Sequence, residues 1–218
     1  MRLGKSPADT NSMSPKKRAA RASVLRQKPR PLLVVLSGPS GAGKDAVLDE
    51  LARRGYAFHR VITATTRPPR VNERHGVDYY FHTDREFDSL INHGGLLEHA
   101  VVYGHRSGVP KRQVLDKLAE GVDVFVRTDV QGAASIKEAM PDAVRIFIAP
   151  VSIEELEERI RARNSDNEER IRRRIDTARS EIGRSGEFEH VIVNEPGKLE
   201  QTVDKLVEIL EQERGGKH

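Results

Sequence analysis

The segment from Leu32 to Gly55 constrains the fold more than any other part of the chain. It opens with the apolar run LLVVL, continues through the glycine-rich stretch SGPSGAGK, and ends with DAVLDELARRG. In this last part Val47, Leu48 and Leu51 recur at the spacing of one helical face. Gly55 then stands at the position of a C-terminal helix cap. The sequence therefore predicts a buried strand, a tight glycine loop and an amphipathic helix in direct succession.

Three more apolar runs predict further buried strands. They are VDVFVRTDVQG from Val122 to Gly132, which ends in a loop, AVRIFIAP from Ala143 to Pro150, and HVIVN from His190 to Asn194. Helical patterns lie between them, and the last helix carries one apolar stripe, made of Leu199, Val203, Leu206, Val207 and Leu210. Apolar strands that alternate with amphipathic helices indicate an α/β fold with a parallel sheet flanked by helices.

Two stretches interrupt this alternation. From Thr63 to about Pro110 the chain is polar and mixed, with one clear helix that starts at the capping box TDRE, Thr83 to Glu86. This stretch is predicted to be an inserted substrate-binding subdomain. A second capping box, SIEE, opens a charged helix at Ser152 that runs into RARNSDNEERIRRRI. A polar turn between two arginine-bearing arms is typical of a mobile lid over phosphates.

Basic charge is concentrated at the N-terminus. Residues 1–30 contain nine Lys or Arg and one acid, Asp9, a net charge of +8, so the chain's overall +4 leaves −4 for residues 31–218. This segment has no apolar core of a secretory signal and is predicted to be disordered. A solvated extension is favoured over a nucleic-acid arm or an organelle transit peptide, because runs of charge are usually solvated. We therefore expect no nucleic-acid partner.

These patterns predict one folded domain, 31–213, between a basic disordered extension, 1–30, and a disordered C-terminus, 214–218. Within it the core comprises 31–62, 111–151 and 180–213, the subdomain 63–110, and the arginine-rich lid 152–179. The chain has no cysteine, which excludes disulfides and thiolate zinc sites. Its longest apolar run, LLVVL, is far shorter than the roughly 20 residues of a membrane helix. A cytoplasmic location without a membrane partner is expected, and the oligomeric state stays open.

The glycine-rich stretch matches the phosphate-binding pattern G-x-x-x-x-G-K. In such a loop backbone N–H groups converge on phosphate oxygens, and the lysine neutralises charge between the β- and γ-phosphates. A simple strand-to-helix turn is the alternative, and Pro39, Ser40 and Lys44 at this spacing argue against it. The predicted nucleotide-binding residues are Gly38, Pro39, Ser40, Gly41, Ala42, Gly43, Lys44 and Asp45.

Asp45 departs from the pattern, which has a Ser or Thr after the lysine to hold magnesium. A carboxylate can also bind magnesium, so Asp45 is a candidate metal ligand, but it places negative charge near the phosphates. The eight histidines are scattered without ligand spacing, so no protein-bound transition metal is expected.

Beyond the loop, several motifs occur in a familiar order. They are TATTRPPRVNERHGVDYYF from Thr63 to Phe81, LLEHAVVYG from Leu96 to Gly104, DVQG from Asp129 to Gly132, the lid arginines, and VIVNE from Val191 to Glu195. Together with the loop, these motifs resemble those of guanylate kinases from residue 31 to about 213. The resemblance implies an enzyme of purine nucleotide metabolism with a phosphate-loop NTPase core, which transfers the γ-phosphoryl group of ATP to GMP with Mg²⁺ as cofactor.

The resemblance also implies roles for individual residues. The GMP phosphate is held by residues that match Thr63, Arg67, Arg70 and Tyr79, and guanine is read by one that matches Glu98. Paired guanidiniums suit a phosphate dianion, and an acceptor-only carboxylate suits the adjacent N–H and NH₂ donors of guanine. Asn194 matches a residue beside the adenine. The implied catalytic set is Lys44, Arg67, Asp129, Arg159, Arg163 and Arg174, with Asp129 at the end of the strand VFVRTD.

Three further positions depart from the family pattern. Ser107 stands where guanylate kinases usually have a phosphate-binding tyrosine, so it is retained as a candidate substrate contact, and Val109 stands where they have Ser or Thr. Arg127 replaces the first aspartate of a D-x-D pair. We hypothesise that Arg127 supplies a replacement contact for the GMP phosphate.

These departures define two competing functions. The loop GPSGAGKD also resembles that of ribose 1,5-bisphosphate phosphokinase, a sugar-phosphate kinase, which lacks TTRPPR, the guanine-reading glutamate and DVQG. A non-catalytic guanylate-kinase-like domain that binds phosphopeptides is the alternative from another class. Such modules normally lose the loop lysine and the lid arginines, whereas this chain keeps Lys44, Arg163 and Arg174. An active kinase is therefore favoured.

Overall fold

The computed structural model describes residues 30–102, 104–163 and 168–216. The chain divides into two units, Met1–Arg30 and Pro31–His218, and every described strand and helix belongs to the second unit. The predicted disordered extension lies outside the described residues except for Arg30, and so do residues 217 and 218 of the predicted disordered C-terminus.

Nine strands and seven α-helices occur in the described residues. The strands are β1 (Leu33–Ser37), β2 (Phe58–Arg60), β3 (Ala64–Thr65), β4 (Tyr80–Phe81), β5 (Leu96–Val102), β6 (His105–Pro110), β7 (Asp123–Arg127), β8 (Val144–Ala149) and β9 (His190–Val193). The helices are α1 (Lys44–Arg53), α2 (Asp84–Asn92), α3 (Lys111–Ala119), α4 (Val130–Ala139), α5 (Ile153–Arg163), α6 (Glu168–Gly183) and α7 (Leu199–Gly215). A short 3₁₀ helix, Ser185–Glu187, precedes β9.

The central sheet has the strand order β2-β7-β1-β8-β9, and each neighbouring pair is parallel. In its middle, Leu36 of β1 pairs with Arg127 of β7, and Ser37 pairs with Phe147 of β8. The carboxyl ends of these three strands therefore meet where β1 enters the glycine-rich loop. The predicted parallel sheet is confirmed. Strand β2 is an addition that the apolar patterns do not predict, because its three residues are only half-buried.

The alternation of side chains along β1 divides the core between the two faces of the sheet. Val34 and Leu36 pack with α1 and α7 on one face, whereas Leu33 and Val35 pack with α3 and α4 on the other. The predicted apolar faces of α1 and α7 are buried at Val47, Leu48, Leu51, Val203, Leu206 and Leu210. Helices thus flank the sheet on both sides, as predicted.

Residues 63–110 contain a second sheet, of order β4-β3-β6-β5, which the sequence patterns do not reveal. Strand β3 pairs parallel with β4 and antiparallel with β6, which pairs antiparallel with β5. Since β3 and β4 have only two residues each, no alternation can mark them. The predicted helix is confirmed as α2, where Thr83 and Glu86 exchange both hydrogen bonds of the capping box.

Helices α5 and α6 form the segment predicted as the lid. Their facing apolar side chains make a separate cluster, composed of Leu156, Ile160, Ile171, Ile175 and Ala178. Glu157 pairs with Arg161 at 2.8 Å, as their i,i+4 spacing predicts. Helix α6 continues past residue 179 to Gly183, so the predicted lid boundary falls inside a helix. The polar turn at 164–167 lies outside the described residues.

Helix α7 extends further than predicted. Its residue Arg214 donates hydrogen bonds to the hydroxyl of Tyr56, at 2.7 Å, and to the carboxylate of Asp123. These contacts tie the end of the helix to the sheet, so the predicted disorder from residue 214 onwards is corrected for residues 214 and 215. Among the described helices, none has both the length and the apolar character needed to cross a membrane.

Candidate functional site

The glycine-rich loop joins β1 to α1 at the carboxyl edge of the central sheet. Gly38 has φ 133° and Gly43 has φ 95°, values that favour glycine. A Cβ atom at Gly38 would lie 2.2 Å from the carbonyl oxygen of Ile148, and one at Gly43 would lie 2.3 Å from the side-chain nitrogen of Asn194. These glycines therefore let the loop pass close to β8 and to the residue after β9.

The start of α1 presents donors to an anion. Its N-cap is Gly43, which has no side chain to accept from the N–H groups of the first turn. Those N–H groups and the positive end of the helix dipole suit a phosphate. The Lys44 ammonium donates to the carbonyl oxygen of Pro39, at 3.1 Å, and to that of Gly38. The loop is thus closed around its own lysine, at the place where the predicted phosphates bind.

The charges around Lys44 include a carboxyl group that the sequence patterns do not single out. Burial lowers the pKa of Lys44 below its usual range, and Arg127 acts in the same direction, while Glu181 and Asp129 oppose the shift. Burial raises the pKa of the Glu181 carboxyl, which the charge of Lys44 opposes. Glu181 lies on α6, a helix with several other acids, so the sequence has no signal that distinguishes it.

Two of the residues that depart from the family pattern form an ion pair. Arg127, the last residue of β7, donates from Nη1 to the carboxylate of Asp45 in the first turn of α1. The Arg127 side chain is 21% exposed and that of Asp45 is 68% exposed. The Nε atom of Arg127 is buried, and in the described part of the chain it has no hydrogen-bond partner. The guanidinium therefore keeps donor capacity beside the phosphate loop.

Asn194, the residue after β9, supports the loop through its side chain. Its side-chain nitrogen donates to the carbonyl oxygen of Ala42 at 2.8 Å, and its side-chain oxygen accepts from the Thr202 hydroxyl at 3.0 Å. Arg159, which pairs with Glu155, donates to the main-chain carbonyl of Asn194 at 3.3 Å. The structure thus gives Asn194 a part in holding the loop, and its predicted contact with adenine stays a prediction.

Arg174 links the lid to the loop. Its Nη2 atom donates to the hydroxyl of Ser40 at 2.7 Å, across 134 residues of sequence. Helix α5 also approaches the loop, because a Cβ atom at Gly41 would lie 3.1 Å from the side chain of Leu156. The backbone of Arg163 ends α5, but its side chain lies outside the described residues. Of the three predicted lid arginines, the structure therefore brings Arg174 to the phosphate loop and Arg159 to Asn194, which supports the loop.

Arg67 is held in place on the inserted subdomain. Two of its guanidinium nitrogens lie 2.9 Å from the two carboxylate oxygens of Glu73, and the guanidinium stacks 5.2 Å from the centre of the Tyr79 ring. The hydrogen bond from Arg67 holds the pKa of the Glu73 carboxyl below its usual value. Arg70 is exposed, and its N–H donates to Glu73 at 2.8 Å. Thr63 accepts through its carbonyl from the N–H of Tyr80.

Glu73 is a second residue that sequence reasoning missed. It lies in the quoted motif, within VNERHG, but an acid among three neighbouring basic residues gives no signal of which one it pairs with. The bidentate geometry with Arg67 is what assigns it a positioning role.

Glu98 is buried at the junction between the subdomain and the core, with 8% exposure. Burial, aided by the charge of Asp129, raises the pKa of its carboxyl to about 7. The Thr128 hydroxyl donates to it at a long 3.5 Å. A Cβ atom at Gly132 would lie 3.0 Å from one of its carboxylate oxygens, so the glycine of DVQG makes room for Glu98. The carboxylate keeps most of its acceptor capacity for a ligand.

Asp129 lies beyond the end of a strand, which corrects the prediction, because β7 stops at Arg127. It is the N-cap of α4, and its carboxylate accepts from the N–H of Gly132 at 2.7 Å. The side chain is nevertheless close enough to Lys44 and Glu98 to affect the pKa of both. Asp129 therefore lies between the predicted binding sites of the two substrates.

The two remaining departures have different surroundings. Ser107 pairs with Thr65 of β3 and with Ala100 of β5, and it is half-buried. Val109 is fully buried and packs in the core cluster beside Val114. Val109 thus contributes to packing, while the predicted substrate contact of Ser107 stays a prediction.

The sequence matches the guanylate kinase family over residues 30–213. The chain belongs to the guanylate kinase family. It is 43% identical over 197 residues to the guanylate kinase of Synechococcus sp. (strain JA-3-3Ab), covering 88% of this chain and 90% of the relative. It is also 43% identical to the guanylate kinase of Rickettsia bellii, with 86% and 97% covered.

A solved structure agrees with this assignment. The crystal structure of guanylate kinase from Anaplasma phagocytophilum superimposes with a TM-score of 0.69 at 33% identity, covering 85% of this chain and 87% of that one. The predicted fold, a phosphate-loop NTPase core with a parallel sheet flanked by helices, is therefore confirmed. Membership of the guanylate kinase family does not favour the sugar-phosphate kinase or the non-catalytic phosphopeptide-binding module.

Proposed function

We propose that this member of the guanylate kinase family transfers the γ-phosphoryl group of ATP to GMP, giving ADP and GDP. The single observation that carries the substrate assignment is the buried Glu98, whose carboxylate has only the long hydrogen bond from Thr128 in the described part of the chain. Adjacent N–H and NH₂ donors of guanine satisfy such a carboxylate, whereas adenine presents an acceptor that it repels.

The donor half of the site, Gly38–Asp45 with the side chains around it, binds ATP in this proposal. Backbone N–H groups of the loop and the start of α1 receive the phosphates, and Lys44 exchanges its carbonyl partners for phosphate oxygens. Arg174, which touches Ser40, and Arg159 bring positive charge from the lid. We propose that Arg163 joins them, as the family resemblance implies.

The acceptor half, residues 63–110 with Asp129, binds GMP. Arg67 is already oriented by Glu73 and Tyr79, so little conformational entropy is lost when it pairs with the GMP phosphate. Arg70, Thr63, Tyr79 and Ser107 are the further proposed contacts, and Asp129 orients substrate between the two halves.

Transfer is direct and in line. A phosphate oxygen of GMP forms a bond to the γ-phosphorus as the bond from that phosphorus to the β–γ bridging oxygen breaks, and the leaving ADP keeps the electron pair. Lys44, Arg67 and Arg174 stabilise the charge that moves during this step. Closure of the lid excludes water, so the phosphoryl group reaches GMP rather than being hydrolysed.

ATP is used with a divalent cation, and we propose Mg²⁺, which arrives bound to the nucleotide. Among the described residues no group of three or more acidic or histidine side chains could hold a metal ion. The ion pair with Arg127 also argues against Asp45 as a ligand. The cytoplasmic location and the absence of nucleic-acid and membrane partners stay predictions.

A substrate panel tests this function. ADP release with ATP and Mg²⁺ is measured with GMP, AMP, UMP and ribose 1,5-bisphosphate in parallel, with Lys44→Ala as the control. Turnover with GMP alone that is lost in the control is expected. Turnover only with the sugar phosphate would assign a sugar-phosphate kinase, and the absence of turnover with all four would indicate a binding module.

A further inference from the structure

Arg127 lies at the end of β7 beside Asp45, which occupies the loop position that helps to hold the cation in phosphate-loop NTPases generally. There, Mg²⁺ is bound by the Ser or Thr after the loop lysine and by an aspartate known as the Walker-B residue. Here the first position is Asp45, and the end of the neighbouring parallel strand β7 carries Arg127, opposite Leu36 of β1. Compared with the usual loop hydroxyl and with the first aspartate of the D-x-D pair in guanylate kinases, this chain has a carboxylate and a guanidinium, and these two residues bind each other.

These residues do not fit a protein-bound Mg²⁺. The Asp45 carboxylate is already paired with Arg127, and a guanidinium has no acceptor that could ligate a cation. The positive charge of Arg127 also repels a cation that approaches the same position. Arg127 itself brings a positive group to this corner of the loop, close enough to Lys44 to lower its pKa.

The guanidinium of Arg127 also has a donor without a partner in the described part of the chain. Its Nη1 is used by Asp45, whereas its Nε is buried and has no hydrogen-bond partner among the described residues. A buried donor without an acceptor is unfavourable, and a phosphate oxygen would satisfy it. Arginine presents its donors in a planar fork that matches phosphate geometry, and Asp45 holds that fork beside the first turn of α1.

We propose that Arg127, positioned by Asp45, takes the place of the protein-bound cation and donates to the phosphates of ATP. The inference rests on the proposed function only in taking ATP as the ligand of the loop. It assigns Arg127 to ATP rather than to the GMP phosphate that the sequence suggested. Its consequence is that the affinity of the protein for ATP depends little on Mg²⁺.

Binding of a non-hydrolysable ATP analogue, measured by calorimetry without GMP, tests the proposal. The dissociation constant is compared in millimolar Mg²⁺ and in excess EDTA. For the unmodified protein the two values should agree within about threefold, and D45S/R127D, which restores a hydroxyl and a carboxylate, should bind about tenfold more weakly in EDTA than in Mg²⁺. Arg127→Ala should weaken binding in EDTA by about tenfold, and by less in Mg²⁺.

The matched control is D49S/R60D, which makes the same exchange in the Asp49–Arg60 pair of α1 and β2. That pair has a 2.6 Å contact and exposures of 66% and 31%, similar to those of Asp45 and Arg127. Its Mg²⁺ dependence should match that of the unmodified protein. Thermal unfolding checks that each variant is folded. If D45S/R127D does not fold, the Mg²⁺ dependence of analogue binding by R127A alone tests the proposal.

Three results would overturn the proposal. One is an unmodified protein whose affinity for the analogue falls about tenfold in EDTA, and another is an R127A variant with an unchanged ratio between the two conditions. The third is the absence of analogue binding by the unmodified protein in either condition. That result would refute the proposed function as well, whereas the first two would leave it intact.

Discussion

The donor and acceptor halves of the site are held by different kinds of contact. The loop Gly38–Asp45 is fixed by its backbone and by buried partners, since Gly38 passes against β8 and Asn194 holds Ala42. The acceptor half places Arg67 through a partly exposed ion pair with Glu73 on a sheet with two-residue strands. The donor half is therefore preformed, whereas the acceptor half depends on side chains that one substitution can release.

The largest expected effect is on the donor half. Lys44→Ala removes the ammonium that offsets the charge shifting onto the bridging oxygen, so kcat should fall by roughly 10³-fold. Because the glycines and Asn194 still hold the loop after the two hydrogen bonds from Lys44 are lost, the thermal unfolding temperature should change little. Steady-state kinetics measures kcat, and calorimetry measures the unfolding temperature. Arg53→Ala on the same helix is the control, and a loss of folding in K44A would contradict a preformed loop.

The acceptor half should respond to a change that touches neither substrate. Glu73→Gln removes the carboxylate that orients Arg67, so the KM for GMP should rise by about tenfold or more while the KM for ATP stays unchanged. Glu120→Gln, which loosens an exposed pair with Lys117, is the control. Equal increases in both KM values would show that the two halves are not held independently.

The acceptor half should also differ from the donor half in its pH dependence, because Glu98 titrates near neutrality. The raised pKa of Glu98, about 7, means that its carboxyl gains a proton as the pH falls through neutrality. The protonated form cannot accept from both guanine donors, so the KM for GMP should rise by about tenfold from pH 8 to pH 6. In Glu98→Gln the corresponding ratio should be flat apart from the titration of GMP itself, and a wild-type profile that matches E98Q would contradict this role.

The same pKa shift has the opposite effect on the stability of the fold, which should decrease as the pH rises. Because the folded pKa of Glu98 lies above the unfolded value, its contribution to stability is present below pH 4.5, is lost as the pH rises to about 7, and changes no further above that. Glu98→Gln should therefore raise the unfolding temperature at pH 8 more than at pH 4.5, and differential scanning calorimetry compares the two.

The smallest expected effect concerns the support of the loop. Asn194→Ala removes the donor to Ala42 and leaves a buried carbonyl unpaired, at a cost of about 1–3 kcal/mol in the free energy of unfolding. The KM for ATP should rise only a few-fold, since the glycines still fix the loop. Urea denaturation and initial rates measure these changes. Thr202→Val, which removes the hydroxyl that donates to Asn194 and to the Lys198 carbonyl but leaves the bond to Ala42, should raise the KM for ATP less.

The comparison also explains what the sequence could predict. The loop, the parallel sheet and the buried faces of α1 and α7 follow local rules of spacing and glycine placement, so each can be predicted from its own segment. The second sheet was missed because β3 and β4 are too short for any period to appear. The ion pair of Arg67 with Glu73 depends on how the intervening turn folds, and the electrostatic effect of Glu181 on Lys44 depends on the tertiary fold.

Asp45 is a residue that the sequence identifies but cannot interpret. In the sequence alone it is a departure with two opposite meanings, a metal ligand or a repulsive charge. Only the structure places Arg127, 82 residues later in the sequence, against it and gives the two departures a common explanation.

The most direct measurement of the central claim is the ratio of kcat/KM for GMP to that for AMP, in the unmodified protein and in Glu98→Gln, at pH 8. The account predicts a preference for GMP of at least about 10³-fold that falls by about 10²-fold or more in the variant, because the buried carboxylate reads guanine. A preference that survives unchanged in a folded E98Q protein would contradict it.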